Sequence, residues 1–307
     1  MMLAATKTLQ KLAALVKKSK KNEEKTKVSI PRILAKIFIT SGIVAYIALA
    51  PAVSTPIYYM ALFFPWRYPA GDYDKIVAID SVPVQNVYFK SKNGKQLHGW
   101  YFSKPGAKYT ALYHHGNGAN ISVLGVYIDM FLRNNISILL YDYQGYGKSE
   151  GEPSLQNVVD DSDAAYKYLV DKLGVKAENV IHAGGSFGSG LAGHIAEIHP
   201  GKAIVMLTPY ATLIECARLR IPYLYIYPDF LMPHPDLNSK LCLKHSHAPF
   251  FMVHGDSDWI IPVSQPDELF AEAQEPKEYL RLHNVNHGNF ITEEFQSRLD
   301  KFLQKLN

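Results

Sequence analysis

Val180-Ile181-His182-Ala183-Gly184-Gly185-Ser186-Phe187-Gly188-Ser189-Gly190 decides how this chain reads. An apolar run ends in Gly-x-Ser-x-Gly and continues into small, helix-compatible residues. The pattern predicts a buried strand that turns sharply into a helix, with Ser186 at the apex. Such a turn strains the backbone at the serine, so only small neighbours fit at Gly184 and Gly188. The Ser186 hydroxyl then stands above the sheet end, over a helix N-terminus that favours developing negative charge. Ser186 is therefore the candidate nucleophile. The pentapeptide alone is a weak signal, because small-residue turns arise by chance. Its weight comes from what lies on either side.

Upstream, Val84–Lys90 and Leu97–Ser103 are strand-like runs around the turn Lys92-Asn93-Gly94-Lys95, which predicts a hairpin. Tyr109–Tyr113 is a short apolar strand that ends in His114-His115-Gly116-Asn117-Gly118. Apolar residues then recur at helical spacing from Ile121 to Leu132. Ile136–Tyr141 is another buried strand, and Leu155 to Leu173 is a helix opened by Pro153-Ser154. Downstream of the elbow, strands are predicted at Ala203–Leu207, Pro249–His254 and Tyr279–Leu282, and Phe290–Leu306 is an amphipathic helix. Strands alternating with helices imply a mostly parallel sheet covered on both faces, begun by an antiparallel hairpin.

Ligands of such sheets sit beyond the carboxyl ends of the strands. Candidate catalytic residues should therefore fall just after strands. Ser186 does. So do Asp256 and Asp258, in Gly255-Asp256-Ser257-Asp258, and His283 and His287, in His283-Asn284-Val285-Asn286-His287-Gly288. A serine hydroxyl is a poor nucleophile at neutral pH and needs an adjacent base. His287 is the candidate base, with His283 as its rival and a strand-end cap as the alternative role for the latter. A buried carboxylate should orient that histidine, and both aspartates qualify by type.

The motifs together resemble an α/β-hydrolase. They are the HGN loop at 115–117, YDYQGYGKSEGEPS at 141–154, GGSFG at 184–188, HGDSDWIIP at 254–262 and NHG at 286–288. More narrowly, the chain is similar to membrane-anchored α/β-hydrolase-domain serine hydrolases, a branch with lysophospholipases, monoacylglycerol lipases and protein depalmitoylases. The resemblance covers about 84–306. It implies an α/β-hydrolase fold and a triad of Ser186, His287 and an acid four residues after His254, which is Asp258. Asp256 is then a turn cap. It also implies two backbone donors for the oxyanion, at Phe187 after the nucleophile and at Asn117 in the loop after the third strand. His115 shapes that loop, and Asp142 to Gly147 forms a structural turn.

The N-terminal quarter is different in kind. Residues 1–36 hold ten Lys/Arg and two Glu, a local +8, whereas the other 271 residues hold 22 basic and 26 acidic ones. The net charge of +4 is thus a property of the tail, and no basic catalytic surface points to nucleic acid. From Ile37 to Pro65 no residue is charged, a run long enough to cross about 30 Å of hydrocarbon. Pro51 and Pro56 interrupt it, so it kinks or divides into spanning and interfacial parts. Tyr58, Tyr59, Phe63, Phe64 and Trp66 resemble an interfacial aromatic belt. The run lies too late and is too long for a cleaved signal. Three regions are therefore expected: a basic tail at 1–36, a membrane anchor at 37–65 and a catalytic domain at 76–307. The lysines place the N-terminus in the cytosol and the catalytic domain in a lumen, periplasm or exterior.

Other signals carry less. Gly188-Ser189-Gly190-Leu191-Ala192-Gly193 fits GxGxxG but begins inside the expected helix, after the strand has turned, so no dinucleotide is implied. His114-His115 and His245/His247 lack metal-ligand spacing, and the expectation is no metal and no cofactor. Asn120-Ile121-Ser122 and Asn135-Ile136-Ser137 are sequons in what should be packed structure. Cys216 and Cys242 fit either a disulfide or two separate thiols. Residues 208–247, rich in Tyr, Leu, Ile and Pro, are expected to form a cap or insertion over the site, suited to an acyl chain. The function expected is a membrane-anchored serine hydrolase of esters or thioesters, lipase-like. A serine aminopeptidase-like amidase and a catalytically silent scaffold are the alternatives.

Overall fold

The computed structural model describes residues 11, 13–19, 30–245 and 247–306. They belong to two compact units, residues 1–54 and 55–307. In the first unit, residues 13–19 are helical and exposed, and the rest of the basic run from Lys20 to Lys27 lies outside the described residues. Helix α1 spans Ile30–Ala48, with no residue buried. Its 19 residues rise about 28 Å, and by length and composition it is apolar enough to cross a bilayer.

The uncharged stretch 37–65 is thus not one element. Helix α1 starts seven residues earlier and carries Arg32 and Lys36 in its first two turns. A turn at Ala50–Val53 then ends it, and a second helix, α2 (Thr55–Leu62), opens the second unit. Proline explains the break. It cannot donate a helical hydrogen bond and is tolerated only in the first turn, where Pro56 sits in α2.

The second unit is built on eight strands: β1 Gln85–Lys90, β2 Gln96–Phe102, β3 Tyr109–His114, β4 Ile136–Tyr141, β5 Val180–Gly185, β6 Ala203–Leu207, β7 Phe250–Gly255 and β8 Lys277–Leu282. Their spatial order is β1-β2-β4-β3-β5-β6-β7-β8. β1 pairs antiparallel with β2, β2 antiparallel with β4, and every other pair is parallel. β3, β4, β6 and β7 are buried at every residue, as parallel strands covered on both faces must be. Edge strand β1 alternates instead, with Val87 and Phe89 turned inward.

Helices cover both faces. Those on one are α3 (Gly125–Leu132) and α9 (Glu293–Gln304), which pack Phe131 and Phe302 against the side shared by Ile138, Ala183 and Phe251. On the other are α4 (Leu155–Asp171) and α5 (Phe187–Ile198), which set Val158, Leu169 and Leu191 against Leu112 and Leu139. Side chains alternate along each strand, so neighbours such as Ile138 and Leu139 serve opposite faces. Ser154 caps α4 by accepting from the Asn157 amide at 3.0 Å.

Residues 208–247 form α6 (Leu213–Arg220), two short 3₁₀ turns at Pro222–Ile226 and Asp229–Leu231, and α7 (Ser239–Leu243). They lie over the start of α5. The Tyr210 hydroxyl donates to the Phe187 carbonyl at 3.1 Å, and a Cβ on Gly190 would come within 2.9 Å of Leu237. α8 (Ser264–Glu272) completes the second face. Cys216 and Cys242 are separate half-buried thiols. Asn120 is buried, but Asn135 is exposed, at a left-handed turn between α3 and β4, contrary to the packed setting expected for both sequons.

Candidate active site

The elbow after β5 is forced by what surrounds it. Ser186 sits at φ +52°, ψ −120°, a region that L-residues rarely occupy. A Cβ on Gly184 would lie 2.1 Å from the Gly188 carbonyl oxygen, and one on Gly188 would lie 2.0 Å from the His114 carbonyl oxygen. Only glycine permits those two approaches. The Ser186 amide donates to the Leu207 carbonyl at 2.8 Å, which ties the apex to the end of β6. Strain of this kind persists only where the neighbourhood over-determines it.

The loops after β7 and β8 cross at another glycine. A Cβ on Gly255 would meet the Val285 carbonyl oxygen at 2.1 Å. The Ser257 amide donates to that same carbonyl at 3.1 Å, and the Asp256 amide to Leu282 at 2.9 Å. This crossing sets the two loops side by side. Asp258, with its side chain wholly buried, meets His287, which stays partly open to solvent.

Three sequence-distant side chains then join. His287 Nδ1 lies 2.6 Å from Asp258 Oδ2, and His287 Nε2 lies 3.0 Å from Ser186 Oγ. With Nδ1–H donated to the carboxylate, Nε2 carries the lone pair that can accept the serine proton. Asp258 Oδ1 accepts from the amides of Ile260 and Ile261 at 2.8 and 2.9 Å. Burial works to raise the Asp258 pKa. The hydrogen bond and charge of His287, with the Ile261 amide and nearby His254, outweigh it and hold the carboxyl below its ordinary value.

The rival pair is also in contact, but elsewhere. His283 Nδ1 meets Asp256 Oδ2 at 2.9 Å, and Asp256 Oδ1 accepts from the Asn284 amide at 2.8 Å. His283 is 81% exposed along its side chain. That pair closes a surface turn, whereas His287 is the histidine bonded to Ser186.

The loop after β3 comes in from the other side. A Cβ on Gly116 would lie 3.8 Å from Ser186 Cβ, so the loop runs beside the serine. His115 is buried and stacked on Tyr143 at 4.0 Å between ring centres. Burial lowers its pKa to about 4, so the ring is neutral. Its Nδ1–H donates to the Gly116 carbonyl at 2.7 Å. A peptide plane carries its C=O and N–H in opposite directions, so this bond also aims the Asn117 N–H. Among the described residues none accepts from that N–H. The Phe187 N–H opens α5 and has no helical carbonyl to serve.

The chain has relatives among known proteins. Alpha/beta hydrolase domain-containing protein 17B of Homo sapiens is 30% identical over 203 residues, covering 66% of this chain and 68% of that protein. This chain belongs to the α/β-hydrolase superfamily. An uncharacterized protein of Mycobacterium tuberculosis (strain CDC 1551 / Oshkosh) is 28% identical to this hydrolase over 263 residues, 85% of this chain and 89% of the other. A family model described as serine aminopeptidase, S33, matches residues 106–222. An esterase of Pyrococcus furiosus shares the fold, with a TM-score of 0.64 at 20% identity, over 80% of this chain and 97% of that one.

The expected structural turn at Asp142 to Gly147 lies against the loop after β3. Tyr143 donates to the His115 carbonyl at 2.7 Å and Tyr146 to the Asn117 carbonyl at 2.6 Å. Asp142 accepts from the Ile121 amide at 3.0 Å and from Tyr73, whose phenol is raised above its ordinary pKa by burial and by that carboxylate. The sequence marks the turn but not these contacts, and it does not mark Tyr73. A cleft of about 730 Å³ lined by Phe89, Asp163, Lys167 and His199 is a separate feature and includes neither Ser186 nor His287.

Proposed function

We propose that the protein is a membrane-tethered serine hydrolase that cleaves carboxylic esters or thioesters with an acyl chain. The observation that carries this reading is the continuous hydrogen-bonded chain from Ser186 through His287 to Asp258. In this scheme His287 takes the Ser186 proton as Oγ attacks the carbonyl carbon. The oxyanion that forms is received by the N–H groups of Asn117 and Phe187. Collapse breaks the bond to the leaving group, which takes the proton back from His287. Water, deprotonated by the same imidazole, then hydrolyses the acyl-serine and restores the enzyme. Asp258 holds the tautomer and stabilises the imidazolium without taking its proton. No cofactor enters the scheme.

Two features support an apolar substrate. Tyr223, Tyr225, Ile226 and Phe230 of the 208–247 segment are more than half exposed, as is Trp259 beside Asp258. Clustered exposed apolar surface of this kind marks a binding or membrane-facing region. Helix α1 supports the tether, and the basic tail before it supports a cytosolic N-terminus with the hydrolase on the opposite side.

The aminopeptidase reading is favoured by the family-model match, and an aminopeptidase must bind its substrate's ammonium group. The acids of the 208–247 segment are committed. Asp229 pairs with Arg218 at 2.8 Å, Glu215 with Lys240 at 3.4 Å, and Asp236 accepts from the Ile214 amide at 3.2 Å. That favours esters. The test is fluorophosphonate labelling of the full chain, followed by rates on p-nitrophenyl esters of rising chain length and on aminoacyl amides. Labelling lost in Ser186→Ala, with long esters preferred, supports the proposal. Preference for the amides selects the peptidase, and a folded protein that never labels selects the silent scaffold.

A further inference from the structure

We propose that the segment Leu62–Trp66, which begins at the last residue of α2, positions the oxyanion loop, with Phe63 and the Asn117 side chain as positioning residues. The inference rests on reading the Asn117 and Phe187 amides as oxyanion donors. The segment reaches both. Asn117 Nδ2 donates to the Leu62 carbonyl at 2.6 Å, an acceptor that the end of α2 leaves without a helical partner. The Phe64 amide donates to the Asn117 carbonyl at 2.9 Å, and the Trp66 amide to Ala119 at 3.1 Å. Phe64–Pro65 and Gly118–Ala119 thereby form a two-residue parallel ladder. With Tyr146 as second donor to its carbonyl, Asn117 has its side chain and its C=O both held, and its N–H is left to act.

The other donor is touched by Phe63, 5% exposed, whose ring meets Phe187 edge-on at 5.5 Å between centres. Ala119 rests at φ +63°, a conformation that alanine keeps only when its neighbours hold it. Oxyanion donors work because they are fixed before charge develops, and a shift of about 1 Å costs on the order of 100-fold in rate. The 115–119 loop gains little such rigidity from itself, being three residues of irregular chain ending in a two-residue strand. Tyr143 and Tyr146 hold it from one side, and a stretch some fifty residues upstream supplies the rest.

The test uses the full chain in detergent, as wild type, Phe63→Ala, Asn117→Ala and Phe63→Leu. We measure kcat and KM on an ester, inhibition by an alkyl trifluoromethyl ketone, and amide hydrogen exchange. The ketone adds to the serine and presents an oxyanion. The expected result for Phe63→Ala and Asn117→Ala is a kcat about 10-fold or more below wild type, with KM within about threefold. Ketone affinity should fall in step with kcat. Exchange at 117–119 should speed up while 184–190 stays protected, and Phe63→Leu should recover most of the loss. Exchange at 117–119 left unchanged in both alanine variants overturns the proposal, as does kcat and ketone affinity within about twofold of wild type. If Phe63→Ala does not fold, Asn117→Ala decides. Exchange needs no turnover, so a wild type without esterase activity sinks the functional reading and leaves the docking still decided.

Discussion

Asp258 and Asp256 stand two residues apart, and the fold gives them opposite surroundings. Asp258 is buried against His287 and two amides, whereas Asp256 caps an exposed turn with His283. Asp258→Asn should lower kcat by on the order of 10⁴-fold by releasing the His287 tautomer. Asp256→Asn and His283→Ala should leave ester turnover within about twofold, since surface pairs contribute little. Steady-state kinetics on one ester separates the two cases, and near-equal losses would refute the assignment. Asp258 also predicts an acid limb. Its folded pKa lies below the unfolded one, so its stabilisation is complete above the ordinary carboxylate value near 4 and fades as pH falls through the folded value. Residue type left both aspartates open. What separates them is burial and the reach of His287, which depend on two loops about thirty residues apart crossing at Gly255.

At the scale of elements, the strand-turn-helix around Ser186 was readable because its requirement is local. Glycine at 184 and 188 is needed wherever backbone passes that close. Gly188→Ala should therefore cost several kcal/mol, on the order of the largest single-substitution effects, and abolish labelling. Gly125→Ala should change stability by at most about 0.5 kcal/mol, because the new methyl meets only Ile79 at 3.7 Å. Urea unfolding of both variants checks this. The strands were legible for a similar reason: Ile136–Tyr141 and Ala203–Leu207 are bounded as their apolar runs are. The uncharged run 37–65 was less legible. Hydropathy is blind to where a helix ends, and α1 continues outward through Arg32 and Lys36 while the two prolines divide the rest. Nor does any local pattern announce that Phe64–Pro65 will pair with Gly118–Ala119, since a two-residue ladder leaves no periodicity.

Across the whole molecule, three buried histidines contribute to the response to acid. His115 and His182 have pKa values lowered to about 4 by burial, and burial drives His114 well below the ordinary value too. All three are neutral in the folded protein at pH 5 to 6, whereas the unfolded chain binds protons there. The unfolded state holds more protons, so stability rises with pH across roughly 4 to 6.5 and is lost as pH falls. His115 and His182 should each contribute roughly 3 kcal/mol to that loss by pH 4. These rings should add up to about three protons to the slope of unfolding free energy against pH, offset by up to one by Asp161, whose pKa burial raises to about 6; His182→Gln should lower the slope by up to one. A slope unchanged in His182→Gln would mean that this ring is not held neutral. The contacts of Tyr143 and Tyr146 with the 115–117 loop, and of Phe63 with Phe187, join residues distant in sequence and leave no local pattern. The stretch from Thr55 onward belongs to the hydrolase unit, and its Leu62–Trp66 portion holds the loop beside Ser186. A shortened recombinant form made without α1 must therefore begin no later than about residue 55. One that starts at 76 would still display a serine, an imidazole and a carboxylate, yet lack the ladder that braces residues 117–119 beside them.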